Sequence, residues 1–336
     1  MLRYLVVRLV WMVVVVFGVV TLTFFIARVI PADPARVAAG LNAKPEQVEE
    51  VRRALGLDQP VLVQYQRYIG ALLRFDLGRS IQTRQPVIGD IKQFLPATLE
   101  LVFYSFSLYV VLGIAIGIGW ALRPDSLLAK VARVTSVAGA AVPVFWIGLI
   151  FQLLFATRLN WLPVAGRLEL SAQPPPFVTG MYTVDSLLAG DIPLFFDAVR
   201  HLVLPVATLV LSLLATAARL TRAAIQTELQ QPYVRTARSK GLAERYILWR
   251  HVLRNALNPI LTMLGLQFGW LLGGTILVEA VFSWPGIGLY AYESFKTFDY
   301  APIQALAVII TLAFVVVNLL VDLAYPILDP RLRHSI

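Results

Sequence analysis

The densest group of residues able to recognise a charged partner lies between Tyr233 and Pro259. The pattern predicts a short helix, a break at Gly241 and a longer helix that runs into an apolar stretch. Gly241 is suited to the left-handed conformation that ends a helix and strains other residues. Arg235 and Arg238 are three residues apart and therefore share a helix face. Such a compact basic unit is suited to docking into an acidic-rimmed cleft. The alternative is a topogenic basic loop that touches anionic lipid.

The patterns that catalysis or ATP binding would require are absent from the sequence. The three histidines, His201, His251 and His334, are far apart and form no His-Glu-x-x-His pattern, so we predict no metal site. There is no Gly-x-x-x-x-Gly-Lys-Ser/Thr phosphate loop, no Gly-x-Ser-x-Gly and no cysteine. We therefore predict that the chain is not an enzyme, has no catalytic residue and no cofactor, and borrows any ATP-derived energy from another subunit.

Six uncharged apolar runs of 18 to 24 residues surround this segment and must position it. They are Leu9–Ala27, Leu101–Leu122, Val134–Thr157, His201–Ala218, Asn255–Val278 and Tyr300–Val321. A helix needs about 20 residues to cross the hydrocarbon core of a bilayer. Continuous apolarity excludes β-barrel strands, which alternate in polarity. The sequence therefore predicts an all-α, polytopic membrane protein with six transmembrane helices.

The distribution of charge predicts the orientation. With a cytoplasmic N-terminus, the inside segments would be 1–8, 123–133, 219–254 and 329–336, which together hold 15 basic and four acidic residues. Short loops rich in Lys and Arg stay in the cytoplasm, so we expect both termini inside. This asymmetry accounts for the net charge of +9 without nucleic acid as a partner.

The predicted organisation has three parts. Residues 1–30 form the cytoplasmic N-terminus and first span, 31–95 a periplasmic segment, and 96–336 a five-helix transmembrane core with a cytoplasmic loop at 219–258. Within the periplasmic segment we expect amphipathic helices near Pro45–Leu55 and Val61–Arg74. The long outside stretch 158–200 should be an ordered extracytoplasmic loop, and a docking or gating role is favoured over a plain connector for both segments.

Small residues recur at intervals of four within two predicted spans. They are Gly113 and Gly117 in the second span, and Gly265, Gly269 and Gly273 in the fifth. This spacing lets helix backbones approach closely, so we expect helix packing within the bundle or against a partner subunit. A role in the solute path is the alternative.

Isolated polar residues within or beside the spans are the candidates for a solute path. We expect Gln152, Gln267 and Asn318 to line it, although each could instead form a hydrogen bond with a neighbouring helix. Glu100, Glu279 and Asp322 lie at the ends of spans, where their carboxylates can reach water, and a functional role for them is the alternative.

Motifs along the whole chain resemble those of the dipeptide/oligopeptide/nickel permease family of ABC importers. The coupling loop, at 219–258, carries Tyr233-Val-Arg-Thr-Ala-Arg-Ser-Lys-Gly241 and Arg250-His-Val-Leu-Arg-Asn-Ala-Leu257. Further matches are Met1-Leu-Arg-Tyr, Asp76-Leu-Gly-Arg-Ser80, Leu95-Pro-Ala-Thr-Leu-Glu100, His201-Leu-Val-Leu-Pro205, Val278-Glu-Ala-Val-Phe-Ser-Trp-Pro-Gly286, Asn318-Leu-Leu-Val-Asp322 and Leu328-Asp-Pro-Arg331. The generic importer loop reads Glu-Ala-Ala, three residues, Gly, nine residues and Ile-x-Leu-Pro. This chain keeps Ala237, Gly241 and Leu253 of that pattern. It departs from the pattern at Arg235, Thr236, His251 and Arg254.

The resemblance implies a type I importer permease of the bacterial inner membrane, similar to the subunit of the pair with the longer N-terminal periplasmic segment. It implies as partners a second homologous permease, two cytoplasmic ABC ATPases and a periplasmic solute-binding protein, with the lipid bilayer around them. The implied cargo is peptides or similar small solutes, and an ion-coupled secondary transporter or channel is the alternative. The implied ATPase-coupling residues are Tyr233, Arg235, Thr236, Ala237, Arg238, Lys240, Gly241 and Arg245.

Overall fold

The computed structural model describes residues 2–29, 34–40, 43–54, 56–127, 129–133 and 142–328. Five helices in this part of the chain are long and apolar enough to cross a membrane. A sixth apolar helix, Val144–Arg158, is shorter, and the first residues of the predicted third run, 134–141, lie outside the described residues. The predicted all-α membrane fold is therefore confirmed, while six spans and the inside location of both termini stay predictions.

Thirteen α-helices lie in the part of the chain that the structure describes, apart from residues 123–133. They are α1 (Leu2–Val29), α2 (Pro34–Ala39), α3 (Pro45–Ala54), α4 (Val61–Leu72), α5 (Val87–Leu122), α6 (Val144–Phe151), α7 (Tyr182–Leu188), α8 (Ile192–Leu229), α9 (Pro232–Ser239), α10 (Glu244–Ile247), α11 (Leu253–Val281), α12 (Ile287–Lys296) and α13 (Tyr300–Leu328). Two π-helical segments, Gln152–Arg158 and Leu248–Val252, continue α6 and join α10 to α11.

Helix α8 lies at the centre of the bundle. It packs along α5 and α11 and also contacts α6 and α7. Leu209 of α8, Leu101 of α5 and Leu271 of α11 are fully buried in the shared core. Because lipid tails are as apolar as these side chains, close packing rather than exclusion from water holds such helices together.

Helix α1 is attached to the rim of the bundle. It packs on α13, and Arg8 forms an ion pair with Asp322 at 3.0 Å. At its other end, Phe24 is buried against the rings of Tyr65 and Tyr68 from α4. Helix α4 is thereby fixed to α1.

The described helices extend past several predicted boundaries. Helix α8 begins at Ile192, inside the stretch 158–200 predicted to be a loop, and ends at Leu229, inside the predicted loop 219–258. Helix α5 begins at Val87, well before the apolar run at Leu101, so the predicted border between residues 95 and 96 falls inside a helix. Its first turns carry Asp90 and Lys92 and pack on α12. Helices α3 and α4 lie where the sequence predicts amphipathic helices.

Candidate functional site

Helix α9 and its glycine stop form a surface unit beside the base of α10. Val234 and Ala237 are buried in the bundle core together with Ile247, Leu248 and Val252. Arg235, Thr236, Arg238 and Lys240 are exposed on the opposite side, as is Arg245 of α10. The helix is therefore anchored by its apolar face and presents a basic polar face to the outside.

Gly241 ends α9 in the predicted left-handed conformation, with φ of +75°. Its N–H donates to the carbonyl of Arg238 at 2.9 Å, and the N–H of Leu242 donates to the carbonyl of Ala237 at 3.3 Å. This is the paired hydrogen-bond pattern of a Schellman stop. A Cβ added at Gly241 would meet no atom within 4 Å. The position requires glycine for its backbone conformation and not for space.

Arg238 differs from Arg235 in having an acidic partner. Its Nε and Nη2 donate to Glu244 at 2.7 and 3.1 Å, across the bend at Gly241. This pairing raises the pKa of Arg238. Arg235 forms no ion pair with any described residue. The two arginines share a face as predicted, but only Arg235 leaves its charge available to a partner.

Tyr233 faces the protein and not the outside. It is half-buried, and its hydroxyl donates to Glu228 at 2.5 Å, which ties α9 to the end of α8. Burial and then this hydrogen bond raise the pKa of Tyr233 to about 12. The residue therefore holds α9 against the end of α8.

The glycines of the two spans contact neighbouring helices of the same chain, with one exception. A Cβ at Gly113 would collide with Ala217, and one at Gly117 would come within 2.5 Å of the Thr221 Cβ, both on α8. Gly265 and Gly269 of α11 face helix α13. A Cβ at Gly269 would lie 2.6 Å from Phe314, and a Cβ at Gly265 would lie 3.2 Å from Val321. A Cβ at Gly273 would have open space around it.

The three polar residues considered for the solute path differ in their partners. Gln152 donates to the carbonyls of Val164 and Val281, each at 2.9 Å, and so fixes an outer loop to the end of α11. Asn318 donates to the carbonyl of Phe314 within its own helix at 2.8 Å. The Gln267 side-chain oxygen is buried without a hydrogen-bond partner. Of the three, Gln267 is the one whose side-chain oxygen is both buried and unpaired.

Glu100 does not reach water, contrary to the prediction for this carboxylate. Only 1% of its side chain is exposed, and its Oε2 accepts from Nη2 of Arg167 at 2.6 Å. The other oxygen accepts from the N–H and the hydroxyl of Thr183, both at 2.7 Å. The Arg167 guanidinium lies 3.5 Å above the Tyr182 ring. A buried ion pair thus fixes the loop before α7 to α5.

Glu279 is also fully buried, again contrary to prediction. Its Oε1 accepts from the Thr98 hydroxyl at 2.7 Å, and its Oε2 accepts from the N–H of Leu289 at 2.9 Å. The Thr98 oxygen in turn accepts from the N–H of Ile287 at 2.8 Å. Gly286 lies against the carboxylate, since a Cβ there would come within 2.5 Å of its Oε2. The first turn of α12 is therefore held by one carboxylate of α11 and one hydroxyl of α5.

Two further carboxylates fix loops at this end of the bundle. Asp185 accepts from the N–H groups of residues 178–180 and from the Thr179 hydroxyl. Burial alone would raise its pKa, but these hydrogen bonds outweigh burial and lower the pKa. Asp299 accepts from the Ser80 hydroxyl and from the N–H of Ile81, both at 2.7 Å. The loops at residues 80–81 and 178–180 are therefore held in place by the carboxylates of Asp299 and Asp185. These loops, together with those fixed by Glu100 and Glu279, are called the platform below.

Comparison with known proteins decides the family. Residues 113–334 match the family described as "Binding-protein-dependent transport system inner membrane component", and residues 1–102 match its N-terminal counterpart. The chain belongs to this family. Like the resemblance in its motifs, the match identifies it as a permease of the dipeptide/oligopeptide ABC-importer group.

Several curated relatives of this permease match over nearly its whole length. The "Probable D,D-dipeptide transport system permease protein DdpB" of Escherichia coli K12 is 44% identical over 96% of this chain and 95% of its own. The "Di/tripeptide transport system permease protein DppB" of Pseudomonas aeruginosa is 41% identical over the full length of both chains. A glutathione permease of E. coli O6:H1, GsiC, is 36% identical over the full length of both.

A solved structure of the MetNI methionine ABC transporter, in an inward-facing conformation, has the same permease fold. The TM-score is 0.51 at 14% identity, and the alignment covers 69% of this permease and 93% of that chain. At this identity the likeness concerns the fold alone.

Proposed function

We propose that this permease moves peptides or similar small solutes across the bacterial inner membrane, driven by partner ATPases. The observation that carries the proposal is the unit formed by α9 and Gly241, which is anchored by buried Val234 and Ala237 and exposes a basic face. The cargo class comes from relatives named as dipeptide, di/tripeptide and glutathione permeases.

The proposed topology has six spans with both termini in the cytoplasm, so that α9 faces the cytoplasm and the platform around Glu100 faces the periplasm. Helix α6 and its π-helical continuation would belong to the third span. The excess of basic residues in the short segments on the proposed inner side supports this orientation.

The proposed partners are a second homologous permease, two ABC ATPases and a periplasmic solute-binding protein. Helix α9 would dock on an ATPase through Arg235, Thr236 and Lys240, with Arg245 of α10 beside them. Arg238 would hold the bend through its pair with Glu244. A docking helix with a glycine stop can transmit a movement from the ATPase into α11, because only the turn at residues 240–243 separates α9 from the helix that continues into α11.

The decisive experiment is ATP-dependent uptake of a dipeptide by the complete transporter in proteoliposomes. Gly241→Val places a β-branched side chain at φ of +75°, at a cost of about 1–2 kcal/mol, with no collision. We expect normal membrane insertion, continued ATP hydrolysis and loss of uptake. Gly18→Ala, which has open space in α1, is the matched control and should transport normally.

Two results would contradict the proposal. Normal uptake by Gly241→Val would remove the coupling role of the glycine. Uptake by this chain alone, driven by an ion gradient and without ATPases, would establish the secondary transporter or channel instead.

A further inference from the structure

An apolar groove of about 450 Å³ runs along α5 and α8 on the side of the bundle that leads towards α9. Its lining residues are Ile116 of α5, Leu211, Leu214, Ala215 and Ala218 of α8, and Leu127, Val131 and Ala132 from the segment after α5. The small residues Ala215, Ala218 and Ala132 leave the space that larger side chains would fill. All of these lining side chains are apolar, as the binding of a hydrocarbon chain requires.

A tryptophan and an arginine end this groove. Trp120 follows Ile116 by four residues on α5, and Arg222 follows Ala218 by four on α8, so each continues the lining face by one turn. Trp120 packs against Ala132 and Ala218 in the same cluster. The Arg222 Cζ lies 4.6 Å from the centre of the Trp120 ring. The apolar wall thus leads directly to a stacked cation.

The hydrogen-bonding capacity of this pair is unused. The Arg222 side chain is half-buried, and it forms no ion pair with any described residue. Its Nε and the Trp120 Nε1 are enclosed without a hydrogen-bond acceptor, whereas the two terminal nitrogens of Arg222 are not among these enclosed atoms and are the ones that an outside anion could contact. Exposed Arg219 and Lys130 add positive charge nearby in the chain, against a single acidic residue, Asp125, between residues 123 and 133. Such a site lacks only an anion.

We propose that the groove binds one anionic phospholipid, with an acyl chain along the apolar wall and the phosphate on the Arg222 guanidinium. A guanidinium presents paired N–H donors that match phosphate oxygens, and stacking on Trp120 orients it. Basic pockets between membrane helices are suited to anionic headgroups. A helix of a second permease could cover the apolar wall, but it would have to supply an acidic group at the Arg222 end.

The test is native mass spectrometry of the complete transporter, transferred from nanodiscs of phosphatidylglycerol or of phosphatidylcholine. We expect one retained phosphatidylglycerol for each copy of this chain and no retained phosphatidylcholine. Arg222→Gln should lower retention about fivefold, the value for one basic contact near a membrane surface. Ala215→Leu fills the groove without a change of charge and should also lower retention. Arg250→Gln, an exposed arginine outside the groove, is the control and should not.

Three results would overturn the proposal. Equal retention by Arg222→Gln and the unmodified protein would exclude the phosphate contact. Equal retention of both lipids would exclude recognition of the anion. A cross-link from position 215 to a second permease, obtained in the assembled transporter, would assign the groove to a protein interface.

Discussion

The Thr98 hydroxyl donates to the buried Glu279 carboxylate at 2.7 Å and accepts from the N–H of Ile287 at 2.8 Å. One side chain of α5 therefore joins α11 to the first turn of α12. The carboxylate has no basic partner among the described residues and depends on hydroxyl and amide donors. Removal of one of these donors would leave a buried charge partly unsatisfied.

Thr98→Val is expected to loosen the start of α12. The valine keeps the shape of threonine but removes the donor to Glu279, at a cost of about 1–3 kcal/mol. Hydrogen–deuterium exchange should become faster at Ile287 and Leu289. Thr98→Ser retains the hydroxyl and should exchange as the unmodified protein does. Unchanged exchange in the valine variant would remove the proposed role of Thr98.

Charge reversal should affect Arg235 and Arg238 differently. Arg235→Glu changes a free surface charge and is expected to reduce co-purification of the ATPases severalfold. Arg238→Glu breaks the pair with Glu244, which as an exposed pair contributes about 0–1 kcal/mol. Arg238→Glu is therefore expected to lower uptake by loosening the bend at Gly241. The double variant Arg238→Glu, Glu244→Arg restores the ion pair and should recover most of that uptake. A double variant as defective as Arg238→Glu would instead assign Arg238 to direct contact with the ATPase.

Gly117 and Gly273 offer a matched pair of alanine substitutions within membrane helices. Gly117→Ala forces a methyl group against Thr221 and should cost about 1–3 kcal/mol through overpacking. Gly273→Ala has open space and should be neutral within the chain. Thermal stability of the purified permease in detergent distinguishes the two. Equal effects would show that the contact between α5 and α8 is less tight than described.

The loop at residues 178–180 should loosen in acid because of Asp185. Hydrogen bonds to its carboxylate lower its folded pKa below the unfolded value of about 3.9. The contribution of Asp185 to stability is therefore fully present above pH 4 and is lost as the pH falls through the lowered folded pKa. Exchange of the Thr179 and Gly180 amides should rise over that range. Asp185→Asn should show fast exchange already at pH 7, and a pH-independent loop would contradict this role.

Local chemistry made part of the site predictable. The spans follow from uncharged runs, and the stop of α9 follows from Gly241, because backbone conformation at a glycine depends on its immediate neighbours. The Arg238–Glu244 pair is only six residues apart and could have been found from the sequence, since both residues flank a predicted bend.

The buried carboxylates could not be predicted in the same way. Glu100 meets Arg167 at a separation of 67 residues, and Thr98 meets Glu279 at a separation of 181. A position near the end of an apolar run indicated access to water, whereas loops folded over these ends exclude it. One sequence feature could have indicated the burial of Glu279. Gly286 follows it in the same motif, and the absence of a side chain at Gly286 leaves room for the carboxylate.

The helical stretch from Glu244 to Val281 spans 38 residues without a break in its backbone helix. At a rise of 1.5 Å per residue, it is about 57 Å long. A tilt of about 1° at the Gly241 end displaces the far end by about 1 Å, by simple lever geometry on that length. This is enough to break a hydrogen bond of 2.7 Å, such as the one that joins Thr98 to Glu279. A small tilt of this stretch would therefore reach the contacts of Glu279 at its far end.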